Sequence, residues 1–380
     1  MTHKVIIFGA GGRVGSAVAG ELLGRGIDTV LVDLLPHATL EQRAARLCID
    51  RVVAGCVRPG RVAVYGGVDL AEGAVLESSL SRERPDLVVN YAIPITWDAT
   101  RQLPNYDRVS AAGLGAFTPI QLLAPLAVAR AMAAAGCDVP LLVGNLPDIT
   151  APVLAGMAGR HPLVRPSCGA GNVGLIQAGL QALIEREHAL PAAQLSVSLV
   201  AHHVHWVAPR EPGYANDAPF MLRVESGGRD VTATLGDTRT LLNRAITSNY
   251  EPGAAFSSTT GLLAARAVVA LLDRSGAQHH LHVPAPGGLP GGYPVTIRYG
   301  QIALALPDDW SAVEADVAMR SAQERDGVAG IDADGTVHFS DAARDILRAE
   351  LAIDLPAAMS PGDIEAVAAS QITRLRPLLT

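Results

Sequence analysis

The feature that most constrains the fold is a glycine-rich turn between two apolar segments near the start of the chain. Residues 4–8 form a short continuous apolar run, and the segment Gly-Ala-Gly-Gly-Arg-Val-Gly, residues 9–15, follows it directly. Apolar residues then recur at helical spacing from Ser16, and a second apolar run, residues 29–33, ends in Asp33. This order predicts a strand, a turn, a helix and a second strand, as at the start of a parallel sheet.

The alternation of strands and helices continues to about residue 150. Three more apolar runs have the length of buried strands, at residues 61–65, 86–90 and 140–144. Helical patterns lie between them, near residues 39–55 and 117–135. The predicted fold class is therefore α/β, with an N-terminal doubly wound parallel sheet of the Rossmann type and a C-terminal mixed α+β domain. We expect the domains at residues 1–150 and 151–380.

The second half of the chain has no regular alternation. Helical patterns cover residues 151–159, 174–188, 238–247, 258–273, 310–324, 342–353 and 363–376. Strands are predicted at residues 195–201, 281–284 and 294–305, and the first of them runs on into a histidine cluster, residues 202–206.

Composition excludes several classes of function. The chain has 380 residues, with 30 Lys and Arg against 37 Asp and Glu, and no basic run that could follow a phosphate backbone. We therefore expect no nucleic acid partner. No apolar run comes near the ~20 residues of a membrane helix, and no signal-peptide pattern opens the chain, which favours a cytoplasmic protein. Lys4 is the only lysine, so a Walker A lysine, a Schiff base and a Tyr-x-x-x-Lys pair are all excluded.

The glycine turn has the composition of a dinucleotide site. A diphosphate needs main-chain N–H donors and a helix N-terminus at close range, and glycine lets the chain approach it. A carboxylate at the end of the second strand, Asp33, accepts ribose hydroxyls and repels a 2′-phosphate, so NAD is favoured over NADP. The alternative is a glycine turn that binds no dinucleotide. The predicted cofactor-binding residues are Gly9, Gly11, Gly12, Arg13, Val14, Gly15, Asp33, Asn90 and Asn145.

Polar residues that close the later strands are candidates for the reacting end of the site. Asn90 and Asn145 each end a predicted strand, and Cys168 precedes the glycine-rich turn 169–171. The Asn145 amide could orient a nicotinamide or a substrate hydroxyl. Alternatively, Asn145 is a helix N-cap, with Asp148 in the first turn of that helix.

The histidine cluster supplies the best acid/base candidates. On a strand, His203 and His205 would point to one face and His202 to the other. We expect His203 to exchange the proton of a substrate hydroxyl, with His202 as the second choice. Hydrogen-bonded histidines at a domain interface, or a metal held by imidazoles and a thiolate, are the alternatives. Three arginines near predicted loops could bind a carboxylate or phosphate: Arg101, Arg108 and Arg210.

In this order the segments resemble the lactate/malate dehydrogenase superfamily, including its branch of NAD-dependent family 4 glycoside hydrolases. The segment Gly-Asn-Leu-Pro-Asp at 144–148 is similar to the Asn-Pro-x-Asp segment of the dehydrogenases. Residues 113–121, 167–172, 203–206 and 283–290 resemble segments of the glycosidases.

The two branches imply different sites. The dehydrogenase resemblance implies a catalytic aspartate and a substrate-binding arginine on the helix after the glycine-rich turn, where this chain has Gly174 and Gln177. The glycosidase resemblance implies that Cys168 and His203 hold a divalent metal such as Mn²⁺. The superfamily as a whole implies a homo-oligomer.

Three hypotheses of function follow from the sequence. The first is an NAD-dependent oxidoreductase that transfers a hydride between the nicotinamide and a secondary alcohol or ketone of a small polar substrate. The second is an NAD- and metal-dependent glycosidase of the family 4 type. The third is a dinucleotide-binding protein without catalysis.

Overall fold

Strands and helices alternate through the first half of the chain in the computed structural model, which describes residues 3–103, 105–211, 213–250 and 254–379. The strands of this half are β1 (Lys4–Phe8), β2 (Asp28–Asp33), β3 (Val62–Gly66), β4 (Leu87–Asn90), β5 (Leu141–Val143) and β6 (Cys168–Gly169). The helices are α1 (Arg13–Gly24), α2 (His37–Val53), α3 (Gly73–Glu83), α4 (Trp97–Thr100), α5 (Tyr106–Val109), α6 (Thr118–Ala134) and α7 (Pro147–Met157).

The six strands form one parallel sheet in the order β3-β2-β1-β4-β5-β6. This is the predicted doubly wound sheet, and the predicted fold class is confirmed. The strand order reverses between β1 and β4, so a crevice opens at the carboxyl ends of these strands. The last strand, β6, lies beyond residue 150, while the division into domains at that residue stays a prediction.

The second half of the chain packs helices around three small antiparallel sheets. Its helices are α8 (Asn172–His188), α9 (His203–Val207), α10 (Thr238–Thr247), α11 (Ala254–Leu272), α12 (Ala312–Arg325), α13 (Asp341–Leu351) and α14 (Ile364–Leu375). The sheets are β7 (Leu195–Val200) with β8 (Met221–Ser226) and β9 (Arg229–Asp230), β10 (His279–Pro284) with β11 (Gly292–Arg298) and β12 (Gln301–Leu304), and β13 (Val328–Ile331) with β14 (Val337–Phe339) and β15 (Ala358–Met359).

The parallel sheet is buried on both faces, because alternate side chains of a strand point to opposite sides. Val5 and Ile7 of β1 belong to the apolar cluster that includes Val268 of α11. Ile6 and Phe8 belong to the opposite cluster, which contains residues of α6 and α7 together with residues from 328–375. A helix from the second half therefore covers one face of the sheet.

Close helix contact fixes α11 against α1. A Cβ atom added at Gly261 of α11 would lie 2.5 Å from the Cβ of Ala17 in α1. Only glycine allows the two backbones to approach this far at the contact.

One segment, Leu114–Ala134, has the length and composition of a membrane-spanning helix, with 21 residues and a mean hydropathy of 1.3. The sequence expectation that no apolar run approaches this length is therefore wrong. Of the apolar 18-residue stretch within this segment, 78% is buried inside the protein, as is typical of a core helix.

Candidate active site

A cleft of about 1280 Å³ runs along the carboxyl edge of the parallel sheet. The glycine turn, Asp33 and Val14 line one end of it, and His203 lines the other. Asn145 lies on its wall between them. The fold therefore brings most of the predicted site residues to one cavity.

The glycine turn is shaped by close backbone contacts. Gly9 has a φ of 76°, and a Cβ atom at Gly15 would lie only 2.2 Å from the carbonyl oxygen of Gly9. Helix α1 begins at Arg13 after Gly12, with no side-chain cap and no acid in its first turn. The first N–H groups of α1 consequently have no partner within the helix, which is the arrangement that binds phosphate groups.

Asp33 is held rigidly at the end of β2. Its Oδ2 accepts a hydrogen bond of 2.8 Å from the Gly11 N–H, and its Oδ1 accepts one of 3.0 Å from the Leu35 N–H. A Cβ atom at Gly11 would lie 2.9 Å from Asp33 Cγ, so the turn has no room for a side chain there. The carboxylate therefore has the fixed position that recognition of a ribose requires.

The Arg13 side chain is engaged at the mouth of the cleft. It forms an ion pair with Asp98 of α4, which links the glycine turn to the segment after β4. Both side chains are half-exposed, so this contact contributes little free energy of folding.

Asn90 and Asn145 form a buried pair at the ends of β4 and β5. Asn90 Nδ2 donates to Asn145 Oδ1 at 2.8 Å, and Asn145 Nδ2 donates to the Ala92 carbonyl at 2.7 Å. One N–H of Asn145 and the Asn90 Oδ1 remain without a partner among the described residues. Leu146, with no side-chain cap, is the N-cap residue of α7, so the alternative of Asn145 as N-cap is wrong.

The predicted strand through the histidines is wrong, because β7 ends at Val200 and His203–Val207 form the short helix α9. The helix is capped by its own histidines: the His202 ring accepts from the Val204 N–H, and His205 Nδ1 accepts from the His202 N–H. His-x-His has the period of a strand, but the capping bonds favour a helix. Burial, and after it the neighbouring histidines, holds the pKa of His202 well below its ordinary value.

His203 alone of the three histidines lines the cleft. Its Nδ1 faces Asp326 Oδ2 at 3.4 Å, and both side chains are buried. Burial by itself lowers the pKa of His203, but Asp326, Asp148 and Glu211 together raise it above its ordinary value. A cationic imidazole is therefore stabilised at this end of the cleft.

Asp326 comes from a distant part of the chain that the sequence analysis does not single out. It follows α12, and its Oδ1 accepts the Leu114 N–H at 3.0 Å. The main-chain carbonyl of Asp326 accepts the Gly115 N–H at 2.8 Å. A Cβ at Gly113, where φ is 79°, would lie 2.3 Å from the Asp326 backbone. The loop 113–115 therefore fixes the carboxylate that faces His203.

Asp148 is a second buried carboxyl group near the imidazole. It has no exposed surface, and neither of its side-chain oxygens has a hydrogen-bond partner by distance and angle among the described residues. Burial raises the pKa of Asp148 to about 6, against the opposing charge of His203. The group is poised to change protonation near neutral pH.

The three arginines of the sequence analysis lie in different surroundings. Arg101 lines the cleft and pairs with Glu211 at 3.1 Å, and Arg210 also lines the cleft. Arg108 pairs with Glu350 at the surface, outside the cleft. Gln177 stands where the dehydrogenase resemblance implies an arginine. It lines a separate cavity of about 340 Å³ and donates to Gln181, and α8 contributes no arginine to the cleft.

The surroundings of Cys168 do not fit a metal ligand. Its side chain is fully buried in an apolar cluster, and burial raises the pKa of the thiol to about 12. A metal binds the thiolate, which this environment disfavours. Among residues 3–379 with their gaps, no group of three or more His, Cys, Asp or Glu side chains is placed to hold a metal ion.

Comparisons with known proteins agree with this architecture. The model of the NAD dependent epimerase/dehydratase family matches residues 5–114. No functionally curated protein matches the sequence.

Solved structures resemble most of the chain. Malate dehydrogenase from Cryptosporidium parvum has a TM-score of 0.56 and 16% identity, over 85% of this chain and 96% of that one. Lactate dehydrogenase of the same organism, complexed with lactic acid and the cofactor β-nicotinamide adenine dinucleotide, has a TM-score of 0.56 and 15% identity, over 86% and 96%. Lactate dehydrogenase from Eimeria maxima, with NADH and oxamate, has a TM-score of 0.57 and 16% sequence identity. The match covers 85% of this chain and 92% of that one. The chain has the fold of these dehydrogenases, as the sequence resemblance implies.

Proposed function

We propose that this protein is an NAD-dependent oxidoreductase of the lactate/malate dehydrogenase superfamily. It would transfer a hydride between the nicotinamide and a secondary alcohol or its ketone on a small polar substrate. The observation that carries the proposal is the single cleft with a diphosphate-type glycine turn at one end and the His203–Asp326 pair at the other. Cytoplasmic location and homo-oligomeric assembly remain predictions.

The residues at the first end of the cleft fit the dinucleotide. The uncapped N-terminus of α1 would hold the diphosphate, through the main-chain N–H groups near Gly12, Arg13 and Val14. The Asp33 carboxylate would accept the hydroxyls of the adenosine ribose. The nicotinamide, when bound, supplies the hydride acceptor or donor. The remaining N–H of Asn145 is available to orient it or the substrate.

The residues at the second end provide the proton chemistry. Nδ1 of His203 faces Asp326, so Nε2 is left to take the hydroxyl proton of the alcohol as the hydride departs. Asp326 and Asp148 stabilise the imidazolium that results. In the reverse direction the same nitrogen returns the proton to the ketone oxygen.

The other two hypotheses have less support. A redox glycosidase would need Cys168 as a metal ligand, and its neutral, buried thiol does not fit that role. We therefore include no metal in the proposal. A non-catalytic binding protein is less favoured, because a buried carboxylate that faces a cleft-lining imidazole is the arrangement typical of a group that exchanges protons.

Two measurements test the proposal. Calorimetry with NAD and NADH should give heat for the wild-type protein, and His203→Gln should keep nearly the same affinity. Absorbance at 340 nm with a panel of hydroxy acids and polyols should show turnover that His203→Gln abolishes. The matched control is His338→Gln, which removes a surface imidazole that contacts Asp332 at 2.8 Å. Absence of heat with both dinucleotides would overturn the proposal, and equal turnover in the His203 variant would remove that residue from its role.

A further inference from the structure

Acidic side chains lie among the bases at the His203 end of the cleft. Asp326 faces His203, and Asp148 is a second carboxyl group whose charge acts on the imidazole. Glu211 follows α9 and lines the cleft, with only 8% of its surface exposed. A charged group of a substrate that enters here therefore meets charges of both signs, and the balance between them decides which substrates bind.

Glu211 offsets the charge of two guanidinium groups. Its Oε1 lies 3.1 Å from Nη2 of Arg101, and its Oε2 accepts a hydrogen bond of 2.7 Å from the Tyr106 hydroxyl. Burial lowers the pKa of Arg210, Glu211 opposes this effect, and the charge of Arg101 adds to it. The two arginines therefore share one buried carboxylate, and both oxygens of that carboxylate are already engaged.

The charges at this end of the cleft consequently balance. Among the residues that the structure describes, three bases and three acids meet here: Arg101, Arg210, His203, Glu211, Asp326 and Asp148. An anionic substrate would gain a guanidinium contact, but its charge would also approach buried carboxylates that water does not screen. No arginine reaches the cleft from α8, where Gln177 stands.

Uncharged side chains form much of the wall at the same end. Trp206 and Phe256 make an aromatic surface, with ring centroids 5.7 Å apart. Asn172 and Ser257 line the cleft as uncharged polar groups, and Asn145 keeps one N–H without a partner among the described residues. Amide and hydroxyl groups bind the hydroxyl groups of a ligand, and aromatic rings bind its apolar faces.

We propose that Glu211 is a specificity-determining residue, and that the substrate is an uncharged secondary alcohol or ketone rather than a hydroxy acid or a phosphorylated alcohol. Glu211 keeps the guanidinium groups of Arg101 and Arg210 from binding an anion. This inference rests on the proposed function for the word substrate, while the charge balance is a property of the cleft itself. The lactate dehydrogenase of similar fold is complexed with an acid, lactic acid, so the inference separates this chain from that structure.

Calorimetry without cofactor tests the charge balance. Sodium malonate is titrated into the wild-type protein and into Glu211→Gln, with malonamide as the uncharged analogue. Glu211→Gln keeps an oxygen that accepts the Tyr106 hydroxyl and removes the negative charge. The wild type should give no saturable heat with millimolar malonate. Glu211→Gln should bind malonate about tenfold or more tightly than the wild type, and malonamide no better.

Two further variants identify the source of the effect. Arg101→Gln combined with Glu211→Gln restores the balance of charge, so this double variant should lose the malonate binding that Glu211→Gln gains. Glu350→Gln removes a carboxylate from the surface ion pair with Arg108, outside the cleft, and should bind malonate no better than the wild type. A thermal melt of each variant shows that it is folded.

Turnover with NAD tests the substrate class. Sorbitol with gluconate, and propylene glycol with lactate, are pairs in which only the second member carries a carboxylate. The wild type should oxidise the uncharged member of a pair with the larger kcat/KM. Glu211→Gln should shift that ratio toward the acid by about tenfold.

The outcomes separate this inference from the proposed function. Saturable malonate binding by the wild type, equal malonate binding by the wild type and Glu211→Gln, an equal gain in Glu350→Gln, or a larger wild-type kcat/KM for the acids overturns the inference. Where no pair is turned over, malonate binding alone decides. Malonate binding gained by Glu211→Gln, in a protein that gives no heat with NAD or NADH, supports the charge balance and contradicts the dehydrogenase.

Discussion

The pairing of His203 with Asp326 leads to a prediction about a single proton. Asp326→Asn removes a negative charge 3.4 Å from the imidazole and keeps the oxygen that accepts the Leu114 N–H. The variant should therefore fold, and its His203 should bind a proton less tightly. Asp326→Ala would be a poorer test, because it leaves that buried N–H without an acceptor, at a cost of about 1 to 3 kcal/mol.

The size of the effect follows from the separation of the charges. Two unit charges 3.4 Å apart attract by about 5 kcal/mol at an effective dielectric constant of about 20. That is an upper limit of about 3 to 4 units in pKa. The charges of Asp148 and Glu211 remain in the variant and also favour the imidazolium. We expect the pKa of His203 to fall by about one to three units.

Nuclear magnetic resonance titration of labelled histidine measures this pKa without any substrate. The chain has 11 histidines, and His203→Gln assigns the signal that matters. Asp332→Asn is the matched control, because it removes the carboxylate of an exposed pair with His338. It should leave the pKa of His203 unchanged. An equal change in both variants, or a fall of less than about 0.3 units in Asp326→Asn, would refute the assignment of Asp326.

Two further predictions concern the glycine turn and the second buried acid. Gly15→Ala places a methyl group against the Gly9 carbonyl, so it should lose about 1 to 3 kcal/mol of unfolding free energy and the heat of NAD binding. Gly330→Ala, which lies outside the cleft and has no atom within 4 Å of the added Cβ, should lose neither. The pKa of Asp148 is raised to about 6, so its contribution to stability is present below its unfolded pKa and lost as pH rises through 6. Asp148→Asn should therefore gain about 1 to 3 kcal/mol relative to wild type between pH 4 and 8, by denaturant titration; an unchanged difference would contradict the burial argument.

Local patterns predicted the parallel sheet well. The apolar run before the glycine turn, the turn itself and the run that ends in Asp33 are neighbours in the chain, and their structure depends on contacts within those few residues. The sequence pattern does not predict helix α3. This helix buries only Leu76, Ser79 and Leu80, so its apolar periodicity is weak.

The reacting end of the cleft was predicted only in part. The residue type of His203 predicts an acid/base group, and the structure places this side chain in the cleft, while its role stays a prediction. The alternate spacing of the histidines predicts a strand, whereas they form a short helix whose N-terminus is capped by their own rings. The sequence gives no signal for Asp326, because a single acidic residue after a polar helix has the pattern of any solvent-exposed helix C-terminus. Its role depends on the distant loop at 113–115, and no local pattern records a contact of that kind.

The contact between Gly261 and Ala17 bears on how this fold can be taken apart. Helix α11 covers α1 and one face of the parallel sheet. In the sequence, however, it lies more than 80 residues after β6, the last strand of that sheet. A fragment ending near residue 150 would expose that apolar face and should aggregate. A chimera that exchanges the sheet with a relative must therefore carry α11 across as well, so the smallest transplantable unit of this protein is discontinuous in sequence.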